Sequence, residues 1–145
     1  MAEQHILVIE DNRDLAYQLR MRLEAKGYTV HTALDGSEGL QKARSLKPDI
    51  ILLDLMLPDV DGYKICRMLK FDREYEHIPI IILSARTLDE DRELAAEVGA
   101  NAYLFKPIDW KELFSTVQSY LRPMQPQAEP VKETANETTG SNDNS

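Results

Sequence analysis

The sequence feature that most constrains the fold is a pair of short runs, 50–53 and 78–83, in which almost every side chain is aliphatic. A strand that is apolar on both of its sides is buried on both faces, as happens in a parallel sheet between two layers of helices. No apolar segment of the chain approaches the ~18 residues that a membrane-spanning helix needs. We therefore expect an α/β domain and no membrane insertion.

Predicted helices separate the predicted strands throughout residues 4–122, so strand and helix alternate strictly. This alternation indicates a doubly wound α/β fold with a five-stranded parallel sheet and five helices. In such a fold the ligand site lies beyond the carboxyl ends of the strands. The predicted strands are His5–Ile9, Thr29–Ala33, Ile50–Leu53, Ile78–Leu83 and Ala102–Phe105.

Local signals mark the boundaries and the buried faces of the helices. The first helix has Leu15, Leu19 and Leu23 at helical spacing and is expected to stop at Gly27. Three other helices begin with the spacing of a capping box, in Asp35 with Glu38, Thr87 with Glu90, and Asp109 with Glu112. The positions predicted to face the sheet are Ile65, Met68 and Leu69 in the third helix, Leu94, Ala95 and Val98 in the fourth, and Leu113, Val117 and Leu121 in the fifth.

Composition excludes several classes of protein. The 145 residues have a net charge of −8, which argues against nucleic acid or an anionic membrane as the main partner. The single cysteine, Cys66, excludes an intramolecular disulfide and a multi-cysteine metal site. The N-terminus lacks a basic region, so no signal peptide is predicted and the cytoplasm is the expected location. Residues 123–145, rich in Pro, Thr, Asn and Ser, are predicted to be a disordered tail or a linker.

Polar residues follow four of the predicted strands. The first strand ends in Glu10 and Asp11, the third in Asp54, the fourth in Ser84 and the fifth in Lys106. In a parallel sheet these residues meet at one edge. Two ionised carboxylates about 4 Å apart repel by about 4 kcal/mol at an effective dielectric constant near 20. Either their pKa values rise or a cation lies among them.

The type of ligand favours one cation over others. A site of carboxylates without His or Cys suits Mg²⁺, Mn²⁺ or Ca²⁺. Three carboxylates cannot fill the shell of 6–8 oxygens that Ca²⁺ takes, whereas Mg²⁺ keeps waters and shares a phosphoryl oxygen. We therefore favour Mg²⁺, with Mn²⁺ as the alternative. A metal, a lysine and a hydroxyl match the oxygens of a phosphoryl group, and a carboxylate can be the nucleophile that accepts it. A lone carboxylate at a strand end is usually a helix cap, so the argument depends on the joint pattern.

The chain from about residue 4 to 122 resembles a response-regulator receiver domain of two-component signalling. The matching segments are ILVIEDN at 6–12, PDIILLDLMLPDVDG at 48–62, IIILSA at 80–85 and GANAYLFKP at 99–107. Their order and spacing fit the family throughout. The resemblance implies a flavodoxin-like receiver fold with strand order 2-1-3-4-5.

The resemblance also implies the roles of the acidic residues. Asp54 matches the aspartate that accepts the phosphoryl group, and Asp11 and Asp54 match the direct Mg²⁺ ligands. Glu10 matches the second member of the acidic pair, which usually acts through water and is more commonly Asp. Met56 matches the position whose backbone carbonyl completes the metal shell.

Four further residues match the family's switch. Ser84 matches the hydroxyl that turns toward the phosphoryl group, and Lys106 matches the lysine that pairs with a phosphoryl oxygen. The peptide bond between Lys106 and Pro107 matches a cis peptide. Tyr103 matches the aromatic switch position, although a half-buried aromatic of the sheet would give the same pattern.

The implied function is a switch rather than an enzyme that turns over a separate metabolite. A histidine kinase or a histidine phosphotransfer protein would donate the phosphoryl group to Asp54. The face formed by the fourth helix, the fifth strand and the fifth helix would then bind an unknown downstream protein or form a homodimer. The sequence leaves open whether the receiver acts alone or as the N-terminal domain of a longer regulator.

Two other functions fit the same architecture less well. A phosphatase of the haloacid-dehalogenase type needs a second aspartate two residues after the nucleophile, where this chain has Met56. A flavodoxin-like flavin-binding module needs a loop rich in Ser, Thr and Gly after the first strand. Here that loop is Glu10-Asp11-Asn12-Arg13-Asp14, which would repel a phosphate.

Overall fold

The computed structural model describes residues 3–85 and 89–121. The strands are β1 (His5–Ile9), β2 (Thr29–Ala33), β3 (Ile50–Asp54), β4 (Ile80–Ser84) and β5 (Ala102–Phe105). The helices are α1 (Arg13–Ala25), α2 (Gly36–Leu46), α3 (Gly62–Lys70), α4 (Asp89–Glu97) and α5 (Trp110–Leu121). The predicted capping box of the fourth helix and the predicted tail at 123–145 lie outside what the structure describes.

All five strands form one parallel sheet in the order β2-β1-β3-β4-β5, which confirms the predicted fold. Every residue of β3 and of β4 is buried, as their aliphatic sequences predicted. One hydrophobic core lies between the sheet and α2, α3 and α4, and the other lies between the sheet and α1 and α5. Within residues 3–85 and 89–121, no helix is long and apolar enough to cross a bilayer.

The fourth strand begins later than predicted, at Ile80 rather than Ile78. The backbone N–H of Ile78 donates to the carbonyl of Tyr75 at 3.0 Å, so it belongs to the preceding turn. Pro79 has no N–H to donate to a sheet, although its carbonyl accepts from Ile51 at 2.9 Å. Ile78 is nevertheless buried in the core. Its apolar character therefore reflects packing and not strand pairing.

Two residues predicted to face the sheet do not. Met68 is 40% exposed and Leu94 is 39% exposed. In α3 the buried stripe runs through Cys66, one position from the prediction, so Met68 lies at its edge. In α4 the buried stripe extends through Asp91, four residues before Ala95, which moves Leu94 to the edge. The apolar periodicity predicted that these segments are helices, but it did not predict where the buried face of each helix is centred.

Cys66 is a buried core residue. Its thiol lies 3.6 Å from the carbonyl of Val98 in the loop after α4. Burial raises the pKa of this thiol to about 11. The protonated thiol is a poor nucleophile and a poor metal ligand, so Cys66 has a structural role.

Candidate functional site

The carboxyl ends of the strands bring the predicted site residues to one edge of the sheet. Glu10 and Asp11 follow β1, Asp54 ends β3, Ser84 ends β4, and Lys106 follows β5. One carboxylate oxygen from each of Glu10, Asp11 and Asp54 lies within 4.8 Å of the others. Glu10 and Asp54 are buried, whereas Asp11 is exposed. The cluster is therefore open to solvent on the Asp11 side.

Lys106 contacts two of the three carboxylates. Its Nζ donates to Glu10 Oε1 at 2.8 Å and lies 3.4 Å from Asp54 Oδ1. Its side chain is 21% exposed. Burial alone would lower the pKa of Lys106, but the hydrogen bond to Glu10 and the charges of Glu10 and Asp54 outweigh it and raise the pKa. Lys106 is therefore a fixed positive charge at this site.

The backbone around Lys106 is held against the neighbouring strand. The N–H of Lys106 donates to the carbonyl of Ser84 at 2.8 Å, which continues the pairing of β4 with β5 past the strand ends. The peptide bond between Lys106 and Pro107 is cis. The Lys106 side chain reaches Glu10 and Asp54 at the carboxyl end of the sheet.

Glu10 is a buried acid whose pKa is raised. Its side chain is 1% exposed. Burial raises its pKa and the nearby charge of Asp54 adds to that effect, while hydrogen bonds from Lys106 and from the Asn12 N–H lower it. The net effect is a raised pKa for Glu10. The Lys106 ammonium therefore does not offset the burial of Glu10 and its repulsion by Asp54.

The charge and the ligand types fit a divalent cation. With all three carboxylates ionised, the cluster has a charge of −3, and Lys106 brings it to −2. All candidate ligand atoms are oxygens, which suits a hard cation such as Mg²⁺ or Mn²⁺. The residues present therefore fit the metal that the sequence implied.

The β3–α3 loop, residues 55–61, contains the fourth proposed ligand, the carbonyl of Met56. The N–H of Met56 donates to Asp54 Oδ1 at 3.2 Å. Its side chain is 61% exposed, so side-chain packing does not hold it in place. The loop closes at its base, because the N–H of Gly62 donates to the carbonyl of Leu55 at 3.2 Å.

Gly62 is required by close packing against the site. A Cβ at this position would lie 2.7 Å from both the Asp54 carbonyl oxygen and the Leu55 Cα. Because these are backbone atoms, Gly62→Ala should lower the free energy of unfolding by about 3 kcal/mol, near the upper end for overpacking. Urea denaturation would measure the loss. Gly27→Ala is the control, since a Cβ there meets nothing within 4 Å and only its φ of 100° is strained, which costs about 1 kcal/mol. A Gly62→Ala variant as stable as the wild type would contradict this packing.

The structure places the two proposed switch residues on adjacent strands. Ser84 is fully buried at the end of β4, and the small Ala85 that follows it is exposed. Tyr103 is half-buried against the core on the α2–α4 side, with its ring centroid 5.4 Å from that of Phe105. This placement satisfies the simpler interpretation of Tyr103 as a sheet aromatic. Its role as a switch stays a prediction.

Sequence reasoning missed two polar contacts around the site. The hydroxyl of Tyr63 lies 3.2 Å from both the carbonyl oxygen and Oδ1 of Asp91, which joins α3 to α4 in the core. The carboxylate of Asp59 accepts from the N–H groups of Gly36 and Ser37 at the start of α2. The sequence had a weak signal that Asp91 is buried, since Asp91 lies four residues before the buried Ala95. None existed for Asp59.

Comparison with known proteins gives consistent matches. The family model of the response regulator receiver domain matches residues 6–118, a range that contains every residue of the candidate site. The response regulator ArlR of Staphylococcus aureus is 41% identical over 122 residues, which are 84% of this chain and 54% of that protein. The chain therefore spans about half the length of the curated relatives it matches.

Solved structures of response regulators also resemble this chain. The chemotaxis protein CheY4 of Vibrio cholerae is 30% identical with a TM-score of 0.78, over 83% of this chain and 100% of that one. A putative response regulator from Chloroflexus aurantiacus is 31% identical with a TM-score of 0.79, over 83% of this chain and 99% of that one.

Proposed function

The chain belongs to the response regulator receiver domain family of two-component signalling, and from that premise we propose that it accepts a phosphoryl group on Asp54 in a Mg²⁺-dependent reaction. The donor is the phosphohistidine of a histidine kinase or of a histidine phosphotransfer protein. The observation that supports this most strongly is the position of Asp54. One of its carboxylate oxygens lies within 4.8 Å of oxygens of Glu10 and Asp11, and its Oδ1 lies 3.4 Å from the Lys106 ammonium.

In the proposed reaction a carboxylate oxygen of Asp54 attacks phosphorus in line with the leaving imidazole. The P–N bond of the donor breaks, a P–O bond to Asp54 forms, and the imidazole nitrogen takes up a proton. Lys106 is already charged and within 3.4 Å of Asp54, so it can pair with a phosphoryl oxygen. This carboxylate is the only group that the transfer modifies, so the protein is a switch and turns over no separate metabolite.

Glu10, Asp11, Asp54 and the Met56 carbonyl would hold the metal. When bound, Mg²⁺ supplies positive charge that neutralises the phosphoryl oxygens. Asp11 is the exposed member of the cluster, so its carboxylate is accessible from solvent. Oε1 of Glu10 already accepts a hydrogen bond from Lys106 at 2.8 Å, so Glu10 would hold the metal through a water molecule.

Magnesium should stabilise the folded chain, because it binds the folded cluster and not the dispersed carboxylates of the unfolded chain. The free energy of unfolding should rise by about 2.7 kcal/mol at an Mg²⁺ concentration one hundred times Kd. Urea denaturation at constant ionic strength, with and without Mg²⁺, would measure the increase. The exposed Asp11 provides the control, since Asp11→Asn should fold normally and lose the increase. An unfolding curve that Mg²⁺ does not move would contradict a metal site.

We propose that phosphorylation acts on the face formed by α4, β5 and α5. The phosphoryl group draws the hydroxyl of Ser84 inward, and Tyr103 on the neighbouring strand follows into the vacated space. The altered face binds a downstream protein or a second copy of the chain. The net charge of −8 supports a protein partner over direct contact with nucleic acid.

Intact mass spectrometry after incubation with acetyl phosphate tests this function. With Mg²⁺ the mass should increase by one phosphoryl group, and with excess chelator it should not change. Incubation with a phosphorylated histidine kinase is the second arm, because some receivers could require a protein donor. A chain that gains no phosphoryl group from either donor in the presence of Mg²⁺ would contradict the proposal.

A further inference from the structure

Asp59, in the β3–α3 loop, is hydrogen-bonded to a helix that is distant in sequence. Its Oδ1 accepts from the N–H of Gly36 at 2.7 Å, and its Oδ2 accepts from the N–H of Ser37 at 3.0 Å. These hydrogen bonds lower the pKa of Asp59, so its carboxylate is charged at neutral pH. A negative charge at the start of a helix is also favoured by the helix dipole. The loop is thus held against the first turn of α2.

The α2 helix also has an N-cap residue of its own, Asp35. The N–H of Glu38 donates to Asp35 Oδ1 at 2.8 Å, and the N–H of Leu34 donates to Glu38 Oε1 at 3.0 Å. The first bond is the N-cap contact, and the second returns from Glu38 to the N–H of the residue that precedes the cap. Asp35 therefore caps α2 through Glu38, while Asp59 accepts from the two preceding N–H groups and joins the loop to the helix.

The same contact is closely packed. A Cβ on Gly36 would lie 2.8 Å from the Cβ of Val60 and 3.1 Å from Oδ1 of Asp59. Val60 also packs against the hydrophobic core on this side of the sheet. The loop consequently has two fixed points, its base at Gly62 and Leu55 and its tip at Asp59 and Val60. Met56 lies between them.

We propose that Asp59 is a positioning residue for the metal site. By holding the tip of the β3–α3 loop on α2, it fixes the backbone that presents the Met56 carbonyl beside Asp54. Asp59 is not one of the carboxylates of the candidate metal cluster. This inference rests on the proposed function, since Asp59 would set the geometry of the metal site proposed there.

Three variants separate positioning from general stability. Asp59→Ala removes both hydrogen bonds to α2, Asp59→Asn retains one acceptor oxygen, and Asp35→Ala removes the helix's own cap without touching the loop. Titration calorimetry with Mg²⁺ gives the affinity, and urea denaturation gives the stability of each variant. Asp59→Ala should weaken Mg²⁺ binding on the order of tenfold, the usual effect of removing a group that orients a metal ligand. Asp35→Ala should lose stability and bind Mg²⁺ within about twofold of the wild type, and Asp59→Asn should recover part of the affinity.

The outcomes that overturn the proposal are distinct from those that overturn the function. If Asp59→Ala binds Mg²⁺ as tightly as the wild type, Asp59 does not position the site. If Asp35→Ala and Asp59→Ala weaken binding equally, the effect comes from α2 as a whole and the proposal is wrong. If the wild-type chain binds no Mg²⁺, the metal site of the proposed function is wrong. The role of Asp59 in positioning that site is then wrong as well.

Discussion

Replacing Asp54 with asparagine should abolish phosphoryl uptake and leave the chain folded. An amide is not a nucleophile toward phosphorus, so the rate of uptake should fall more than about a thousandfold. Stability should change little, because asparagine has nearly the same size and Lys106 keeps its shorter contact with Glu10 at 2.8 Å. Removing one of three clustered carboxylates also relieves repulsion.

Mass spectrometry with acetyl phosphate and Mg²⁺ would measure the uptake, and urea denaturation would confirm the fold. Asp14→Asn is the matched control, since Asp14 is an exposed acid in the first turn of α1, outside the cluster. It should take up phosphoryl groups at the wild-type rate. A folded Asp54→Asn chain that still gains a phosphoryl group would show that another residue is the acceptor.

Replacing Lys106 with alanine should destabilise the fold by about 2–3 kcal/mol near neutral pH. The variant leaves the buried Glu10 carboxylate without its cation, and removing one member of a buried ion pair costs a few kcal/mol. We place the loss at the low end because the Lys106 side chain retains some exposure to solvent. Lys111→Ala is the control, since Lys111 is exposed on α5 and its loss should have little effect.

The cost of losing Lys106 should depend on pH in a definite direction. In the wild type the pKa of Glu10 is already raised above its usual value of 4.5, and Lys106 is the strongest of the groups that oppose this rise. Without Lys106 the folded-state pKa rises further. A raised carboxyl pKa means that stability is retained below the unfolded value and is lost as the pH rises through the folded value. The gap between variant and wild type should therefore be small below about pH 4.5 and widen toward neutral pH.

Urea denaturation at about pH 4 and at about pH 7 would test this dependence. Added Mg²⁺ should also narrow the gap at neutral pH, because a bound cation replaces part of the lost positive charge. Equal losses of stability at both pH values would show that Glu10 is not left with an uncompensated charge. Binding of Mg²⁺ itself should survive the substitution, since Lys106 is not a ligand.

Much of the fold could be predicted because its signals are local. Continuous aliphatic strands imply burial on both faces, and cap residues mark helix starts such as Asp35, whose side chain accepts from the N–H of Glu38 in the structure. The predicted start of β4 was wrong because a proline and a side chain from the loop before β5 determine where the strand begins. The N–H of Ile80 donates to Oδ1 of Asn101, which lies 21 residues away. The prediction that Met68 and Leu94 face the sheet was wrong, because a helical period does not show where the buried face is centred.

The candidate site was also predictable only in part. The strand-end rule and the family motifs predicted which residues meet, and the family is confirmed by the match over residues 6–118. The sequence could not show that Lys106 lies closer to Glu10 than to Asp54, since that depends on side-chain conformations at the end of the sheet. It also could not show the contacts of Asp59 with α2 or of Tyr63 with Asp91. These join residues 22 to 28 positions apart and leave no local pattern.

The most direct test of the central claim is to locate the phosphoryl group. Borohydride reduces the acyl phosphate of an aspartate to the alcohol of homoserine and releases phosphate, so the modified residue becomes visible by peptide sequencing in a mass spectrometer. After incubation with Mg²⁺ and a phosphoryl donor, the account predicts homoserine at Asp54 and at no other acidic residue. Homoserine at another position, or its absence from a chain that has taken up phosphate, would contradict the claim that Asp54 is the acceptor.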